Sequence, residues 1–425
     1  MTQENAPFDL VIYNALLPTQ GLDGAGPTDI GIRDGFIARI GACGPCRSSI
    51  DARGSLVTPG FVNAHTHLDK ADLLSRMTPD QFGGTLEQNR EILKNLKRNY
   101  SVREVLERAR RVAHEMVMQG TTAIRTQVDV DPTAGLKALE AILELKQLLS
   151  PLVTLEICAF PQEGVVRPGN RELMAEALRM GADLVGGNPA VEPTHEERIR
   201  HIDILFELAM TFDKRLDVQL DETNDPRHFY LPYYVDKVIA EGFNSRATAT
   251  HCISLSAVSD DVALPVIERA ARGDVSFIIT PSCNLITRFE LPADVQRRPY
   301  NSITRVKDLL DHGVRVALGT DNIRDIFYPL GNGSMLREMH VIATTTRLTG
   351  FGEAEKVFAM ATVNGARLMG LDYGVAVGRK ADLVVLAASS CRAALSHLPI
   401  VPYVIQNGRV VATSELTYKI AGDRE

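Results

Sequence analysis

Two histidines separated by one residue, His65 and His67, stand at the end of an apolar run that has the character of a β-strand. Side chains on a strand alternate between its two faces, so both imidazoles point to the same side. Two imidazoles placed in this way can bind one divalent ion, whereas a single histidine is more often a packing residue. The pair therefore predicts a metal site at this strand end.

Polar side chains also end several other apolar runs. Asp321 ends the run that starts at Val314, and a buried aspartate is costly unless it is paired or bound to a metal. The third, fifth and sixth strand-like runs end in further residues of this kind: Gln162, Gln219, Asp221, Glu222 and His251. Five of eight strand ends thus carry ligands, acids or amides, which is more than an even scatter would place there.

The elements that position these residues alternate along the middle of the chain. The eight predicted strands cover 60–67, 121–130, 152–161, 183–188, 215–222, 246–252, 275–281 and 314–321. Helical patterns follow them near 136–149, 171–180, 196–212, 231–241, 264–272, 303–312 and 334–348. The clearest helix begins at Ser101, where Glu104 completes a capping-box pattern.

Eight strand–helix units predict an α/β fold, a closed parallel (β/α)8 TIM barrel, because parallel strands need crossover helices on their outer face. The side chains at the C-terminal ends of barrel strands form the site in such folds. An open doubly wound sheet is the competing fold. It would require a glycine-rich phosphate loop after the first strand, where this chain has His65-Thr66-His67.

The two ends of the chain carry short strands without helices between them. Asp34-Gly35 and Asn407-Gly408 each predict a tight turn between two strands. We expect a small β-sandwich domain formed by both termini, from residues 1–57 and 372–425, and a barrel domain from residues 58–371.

The composition of the chain restricts the kinds of molecule that we expect it to bind. The formal net charge of −7 argues against a nucleic-acid surface, and no apolar run reaches the roughly 18 residues of a membrane helix. The first residues lack the pattern of a secretory signal, and six cysteines in 425 residues are too few for a disulfide scaffold. We expect a cytoplasmic protein that binds a small molecule.

Cys43 and Cys46 have the spacing of a thiol oxidoreductase motif. That chemistry requires the first cysteine at a helix N-terminus, which lowers the pKa of its thiol. No helical pattern follows here, and Pro45, Arg47, Ser48 and Ser49 are typical of a turn. A surface loop is the favoured interpretation, with redox chemistry as the alternative.

Several stretches resemble the amidohydrolase superfamily and, within it, the cytosine deaminase group. They are 58–70, 160–164, 217–222, 328–331 and 373–386. Residues 321–325 and 329–333 are more similar to the N-isopropylammelide aminohydrolase branch of that group. The resemblance covers nearly the whole chain.

The resemblance implies one divalent metal ion held by His65, His67 and Asp321. Zinc is the first expectation, with iron or manganese as alternatives. Asp321 would also take a proton from water, and Glu222 would pass protons to the substrate ring nitrogen. His251 would orient the attacking group and the attacked carbon.

The resemblance also implies residues that contact the substrate. Gln162 would form a hydrogen bond with the edge of a heterocycle. Asn322 falls where cytosine deaminase has a second aspartate, and Phe327 falls where it has a larger indole ring. The smaller ring favours a pocket with more room than cytosine needs.

Gln219 is the main departure from this pattern, because cytosine deaminases carry a third histidine ligand at that place. A glutamine oxygen is a neutral ligand and weaker for zinc than imidazole. Gln219 could ligate directly, act through water or leave a three-ligand site, or the protein could bind no metal. Gln127 replaces a histidine of relatives, and His228 is a minor candidate for the missing ligand.

The sequence therefore predicts a metal-dependent hydrolytic deaminase of an amino-substituted nitrogen heterocycle: a pyrimidine, a pterin or a triazine. One alternative is a cyclic-amide hydrolase of the hydantoinase type, with two metals and a bridging lysine. Lys70 is instead favoured as a substrate contact or a salt-bridge residue. The other alternative is a non-catalytic binding protein without metal. The family resemblance also implies a homo-oligomer, and loops 68–100 and 284–301 are expected to set specificity.

Overall fold

The computed structural model of the chain describes residues 7–18, 26–81, 84–286 and 302–419. Its N-terminal strands are β1 (Phe8–Ala15), β2 (Thr28–Arg33), β3 (Phe36–Ile40), β4 (Cys46–Asp51) and β5 (Leu56–Pro59). β1, β2 and β3 pair in an antiparallel manner, and β4 adds to β1 as a parallel edge strand.

The centre of the molecule is an eight-stranded parallel sheet in which each strand pairs with the next one along the chain. Its members are β6 (Phe61–Thr66), β7 (Thr121–Asp129), β8 (Thr154–Phe160), β9 (Leu184–Gly187), β10 (Arg215–Leu220), β11 (Ala247–His251), β12 (Ser276–Ile279) and β13 (Val316–Leu318). Nearly every residue of these strands is buried, as expected for a sheet covered on both faces. The predicted barrel strands are confirmed.

Helices connect these strands. They are α1 (Leu86–Lys97), α2 (Val102–Met118), α3 (Lys137–Leu149), α4 (Asn170–Met180), α5 (His195–Thr211), α6 (Leu231–Ala240), α7 (Asp260–Arg272), α8 (Pro281–Ile286), α9 (Val306–Asp311), α10 (Met335–Thr346), α11 (Glu353–Met360), α12 (Val363–Leu368) and α13 (Cys391–His397). Single 3-10 turns cover Leu73–Arg76, Pro79–Gln81, Pro189–Val191 and Ile253–Ser256. Within the described ranges, no helix has both the length and the apolar character of a membrane-spanning segment.

The start of α2 shows half of the predicted capping box. The hydroxyl of Ser101 accepts a hydrogen bond from the backbone N–H of Glu104. The carboxylate of Glu104 does not turn back to the cap, and instead pairs with Arg108 and Arg76. The helix starts where the sequence predicts, and an ion pair replaces the second capping bond.

The first and last barrel strands meet and close the sheet. Thr66 and Asp321 form a parallel bridge, and the N–H of Asp321 donates to the carbonyl of His65 at 2.9 Å. Gly319 permits this approach, because a Cβ there would lie 2.5 Å from the His65 carbonyl oxygen. The closure therefore brings two of the predicted metal ligands together.

The C-terminal strands complete the second domain. β14 (Leu383–Leu386), β15 (Tyr403–Gln406) and β16 (Arg409–Thr413) form a second four-stranded sheet with β5. Apolar side chains from both ends of the chain pack into one core, for example Ile12 and Ile32 with Leu383 and Ile405. The predicted terminal sandwich is confirmed, whereas its exact boundaries stay a prediction. The proposed division after residue 57 falls within β5.

Both predicted hairpin turns have the backbone that two-residue turns need. Asp34 and Gly35 have φ of 53° and 80°, and Asn407 and Gly408 have φ of 49° and 75°. Positive φ at both central positions matches the right-handed twist of the flanking strands.

The turn predicted around Arg47 is wrong, because Cys46–Asp51 is strand β4. Its mostly exposed side chains give no apolar alternation, and pairing with β1 is what orders it. The Cys43 thiol donates to the carbonyl of Gly41, and burial raises the pKa of this thiol. A redox cysteine requires a lowered pKa, so the raised pKa of Cys43 argues against the redox alternative.

Candidate metal centre and active site

The four predicted ligands come from three strand ends at one rim of the barrel. His65 lies in β6 and His67 follows it, Gln219 lies in β10, and Asp321 follows β13. All four side chains are buried. They are up to 256 residues apart in sequence, and the closed sheet alone brings them together.

Side-chain atoms of the four predicted ligands lie close together at this rim. Asp321 Oδ1 lies 3.6 Å from His65 Nε2 and 3.2 Å from His67 Nε2. Gln219 Nε2 lies 3.2 Å and 3.3 Å from the same two imidazole nitrogens. Ligand atoms about 2.1 Å from a tetrahedral ion lie about 3.4 Å from one another. Asp321 Oδ1 therefore lies at metal-ligand spacing from both imidazole nitrogens, and the Gln219 amide, whose nitrogen does not bind metals, adjoins the same two nitrogens.

The protonation states of this cluster also suit a cation. Burial lowers the pKa of His65 to about 3 and also lowers that of His67, so both imidazoles are neutral near pH 7. Burial alone would raise the pKa of Asp321. The hydrogen bond with His67 and the electrostatic attraction of His251 outweigh it and hold that pKa well below its usual range. Neutral imidazoles and an ionised carboxylate are the forms that bind metals.

The amide of Gln219 is held by its neighbour Asn188. Asn188 Oδ1 accepts the N–H of Ala190, which directs Asn188 Nδ2 towards Gln219 Oε1 at 3.4 Å. In this orientation Gln219 presents its NH2 group to the two imidazoles. A half-turn of the amide would present the oxygen instead, and would break the hydrogen bond with Asn188 and the two contacts of Gln219 Nε2 with the imidazoles.

His251 lies at the end of β11 and belongs to the same cluster. One ligand atom each from His65, His251 and Asp321 lie within 4.8 Å of one another. Asn284 Nδ2 donates to His251 Nδ1 at 3.0 Å, and Thr280 Oγ1 lies 3.1 Å from that nitrogen. These contacts occupy Nδ1 and leave Nε2 for the pocket.

Backbone strain is concentrated at the same rim. His251 and Asp321 have φ of 70° and 58°, values that residues other than glycine seldom adopt. Such strain persists only where the surrounding structure enforces it, and it is common at functional sites. Here it turns both side chains towards the centre of the barrel.

Glu222 follows β10 and is the acid beside this cluster. Burial raises the pKa of its carboxyl, although the charge of His251 partly offsets the rise. The neighbouring Asp221 has a different task, since its two oxygens accept the N–H groups of Tyr230 and Leu231 at the start of α6. Asp221 therefore shapes the loop, and Glu222 is the carboxyl that faces the cavity.

A cavity of about 290 Å³ opens onto the cluster. It lies near the lower end of the volumes found for small-molecule sites. Its lining combines the predicted site residues with further side chains: His67, Lys70, Leu86, Asn89, Arg90, Gln162, Asn188, Gln219, Glu222, His251, Cys283, Ile286, Asp321, Asn322, Ile326, Phe327, Pro329 and Leu330.

Gln162 is oriented by Lys70. The ammonium of Lys70 donates to Gln162 Oε1 at 2.9 Å and to Asp129 Oδ1 at 2.7 Å. With the oxygen occupied, Gln162 has its NH2 group available for a ligand. Lys97 also pairs with Asp129, and the two ammonium groups hold the pKa of Asp129 at about 2 against the effect of burial. Lys70 is thus a salt-bridge residue at the pocket wall.

Asn322 and Phe327 lie on the loop after β13. Asn322 Nδ2 donates to Asp325 at 2.5 Å, and Asp325 in turn accepts the N–H groups of Phe327 and Tyr328. Burial raises the pKa of Asp325 to about 6. This network holds both predicted substrate contacts against the cavity.

Gln127 and His228 do not replace the missing histidine ligand. Gln127 Nε2 lies 3.3 Å from His65 Nδ1, the nitrogen that faces away from the cluster, and donates to Asp217 at 3.1 Å. His228 Nδ1 instead accepts from Arg198 at 3.1 Å. Gln127 therefore supports His65, and His228 lies outside the donor set.

The sequence pattern of the amidohydrolase family matches residues 56–413. The chain belongs to this family. The superfamily predicted from the sequence is thus confirmed, and the family's metal-dependent chemistry agrees with the donor cluster.

Two named relatives match this amidohydrolase over almost their whole length. This chain is 32% identical to N-isopropylammelide isopropyl amidohydrolase from Pseudomonas sp. strain ADP, and the match covers 96% of this chain and 98% of the relative. It is 28% identical to pterin deaminase from Rhizobium rhizogenes, over 96% and 95% of the two chains.

Two solved structures are also similar to this chain over almost its whole length. The 5-methylcytosine deaminase from Klebsiella pneumoniae, solved with 5-fluorocytosine, superposes with a TM-score of 0.88 at 29% identity and covers 96% of this chain and 99% of its own. The N-isopropylammelide isopropylaminohydrolase from Burkholderia multivorans gives a TM-score of 0.81 at 29% identity, over 95% and 98% of the two chains.

The structure brings eight of the nine predicted site residues to the cavity wall, and His65 lies directly behind them. Sequence reasoning missed Asn188, Asn284 and Arg90. A polar residue at the end of the fourth predicted strand, 183–188, was a usable signal for Asn188. Arg90 had none, because one arginine in an amphipathic helix resembles a solvent-facing residue. Most of the predicted specificity loop 284–301 lies outside the described residues.

Proposed function

We propose that this amidohydrolase is a mononuclear metal-dependent deaminase, which removes an amino or N-alkylamino group from a nitrogen heterocycle. The observation that carries the proposal is the donor cluster at metal dimensions, facing Glu222 across one small cavity. The relatives named for pterin, 5-methylcytosine and N-isopropylammelide support a pterin, pyrimidine or triazine as the substrate class.

The metal ligands in this proposal are His65, His67 and Asp321, with the amide of Gln219 as a fourth, neutral donor. Two imidazoles, a carboxylate and an amide suit zinc, and they also accommodate iron or manganese. A divalent ion bound here would make water nucleophilic near pH 7 by lowering its pKa.

Three side chains handle protons in the proposed reaction. Asp321, which is ionised, accepts a proton from the attacking water. Glu222 in its protonated form gives a proton to the ring nitrogen as the ring carbon becomes tetrahedral. The amine then takes the proton that Asp321 accepted and leaves as ammonia or an alkylamine, while the added hydroxyl returns a proton to Glu222 and becomes a carbonyl. His251 Nε2 donates a hydrogen bond to that oxygen.

Three other side chains hold the ring. The NH2 group of Gln162, oriented by Lys70, donates to a carbonyl oxygen or ring nitrogen of the substrate. Asn322 contacts the ring edge near the reacting carbon, and Phe327 packs against its face or its alkyl substituent.

The hydantoinase alternative requires a second metal and a bridging lysine. Lys70 is committed to Asp129 and Gln162, which supports one metal rather than two. Metal analysis separates the two functions, since the proposal expects one equivalent per chain and the alternative expects two.

The test is a metal analysis joined to an ammonia-release screen over aminated pyrimidines, pterins and triazines. We expect one divalent ion per chain and ammonia release from at least one compound. His65→Ala and Glu222→Ala should abolish release, whereas Glu241→Ala, a change of an exposed glutamate, should not. Ammonia release that persists in both site variants would contradict the proposal.

A further inference from the structure

Arg90 brings a positive charge to the cavity that none of the proposed catalytic steps uses. It lies in the first turns of α1, is half-buried, and lines the cavity beside Leu86 and Asn89. A guanidinium keeps its charge at any ordinary pH, and removing it from water is costly unless an anion is near.

No ion pair or hydrogen bond offsets this charge among the residues that the structure describes. The other cation in the described cavity wall, Lys70, is neutralised by Asp129 at 2.7 Å. Arg90 is therefore the cation of this wall that remains available to a ligand.

The charges around Arg90 do not replace a partner. Burial lowers the pKa of its guanidinium, while Glu222 and the exposed Glu87 partly offset this effect and Arg198 adds to it. Burial also raises the pKa of Glu222, which favours the neutral acid. Arg198 adds a second positive charge near Arg90, and neither Glu87 nor Glu222 forms an ion pair with Arg90 in the described part of the chain.

We propose that Arg90 binds a carboxylate carried by the heterocyclic substrate. The planar guanidinium matches a carboxylate in two parallel hydrogen bonds. A phosphate would demand more positive charge and more room than one free arginine and a cavity of about 290 Å³ offer. The proposal rests on the deaminase function and narrows its substrate class to acidic heterocycles.

The test compares neutral and carboxylated members of matched pairs: cytosine with 5-carboxycytosine, pterin with pterin-6-carboxylate, and an aminotriazine with its N-carboxymethyl derivative. Release of ammonia, or of glycine from the N-carboxymethyl triazine, gives kcat/KM, and calorimetry gives binding without turnover. The variants are Arg90→Gln and Arg98→Gln, the second being an exposed arginine that follows the same helix.

We expect the wild-type protein to prefer the carboxylated member of at least one pair by about 10- to 100-fold, as for hydrogen bonds between charged groups. Arg90→Gln should lose most of this preference, and Arg98→Gln should keep it. If Arg90→Gln lowers kcat/KM equally for the neutral and the carboxylated member of a pair and also shifts the pH profile, Arg90 acts on Glu222. That result would overturn the proposal.

The remaining outcomes are also decisive. Ammonia from neutral compounds alone, without tighter binding of any carboxylated partner, would refute the role of Arg90 and leave the deaminase proposal intact. If no compound releases ammonia, the deaminase proposal fails, and the binding preference with its dependence on Arg90 still decides the anion site.

Discussion

Replacing Gln219 by histidine should strengthen metal binding. The glutamine amide stands 3.2 Å and 3.3 Å from the two imidazole nitrogens, which is the place of a fourth ligand. Four-ligand zinc sites bind with about 10–16 kcal/mol, or about 2.5–4 kcal/mol for each ligand. If a neutral amide supplies roughly half of the free energy of one imidazole ligand, Gln219→His gains about 1.2–2 kcal/mol, which is about 8- to 30-fold in affinity.

The assay is competition for zinc between the metal-free protein and a chromophoric chelator at neutral pH. Gln147→His provides the control, because it adds an imidazole on the exposed face of α3. Circular dichroism and thermal unfolding establish that each variant is folded. Unchanged or weaker zinc affinity in folded Gln219→His would refute the assignment of this amide to the donor cluster.

Three further perturbations test other parts of the site. Glu222→Gln should lower kcat by about 10²- to 10⁴-fold while zinc remains bound, because it removes the acid that protonates the ring; steady-state kinetics and metal analysis measure both. The folded pKa of His65, about 3, lies below the ordinary 6.5, so the unfolded chain binds more protons between these values. The free energy of unfolding of the metal-free protein should therefore fall as pH drops from about 6.5 to about 3, and His65→Asn should reduce that slope in urea titrations at a series of pH values. Lys70→Met should lower the free energy of unfolding by about 3 kcal/mol, because it breaks a buried pair with Asp129 that Lys97 only partly compensates. Lys146→Met, at the partly exposed pair with Asp183, should cost about 1 kcal/mol or less in the same denaturation experiment, and equal costs would contradict the reasoning.

Local sequence patterns determined the architecture of this protein. The eight barrel strands and the helices between them follow from apolar runs, amphipathic periods and caps, which act over a few residues. The pairing of His65 and His67 on one side follows from the two-residue repeat of a strand. Two local predictions failed. No helix was expected among the terminal strands, yet α13 (Cys391–His397) lies between β14 and β15. Cys46–Asp51 is an edge strand with no apolar alternation, which pairing with β1 orders.

Only the tertiary structure determined the distances within the site, the orientation of its side chains and which further residues line it. Asn188 sets the orientation of the Gln219 amide, and the closure between Thr66 and Asp321 sets the size of the metal cluster. The helix α1 carries Arg90 into the cavity wall without an ion-pair partner among the described residues. These properties depend on distances between side chains that lie far apart along the chain. No local pattern encodes such distances, because they arise only when the closed sheet fixes every strand end relative to the others.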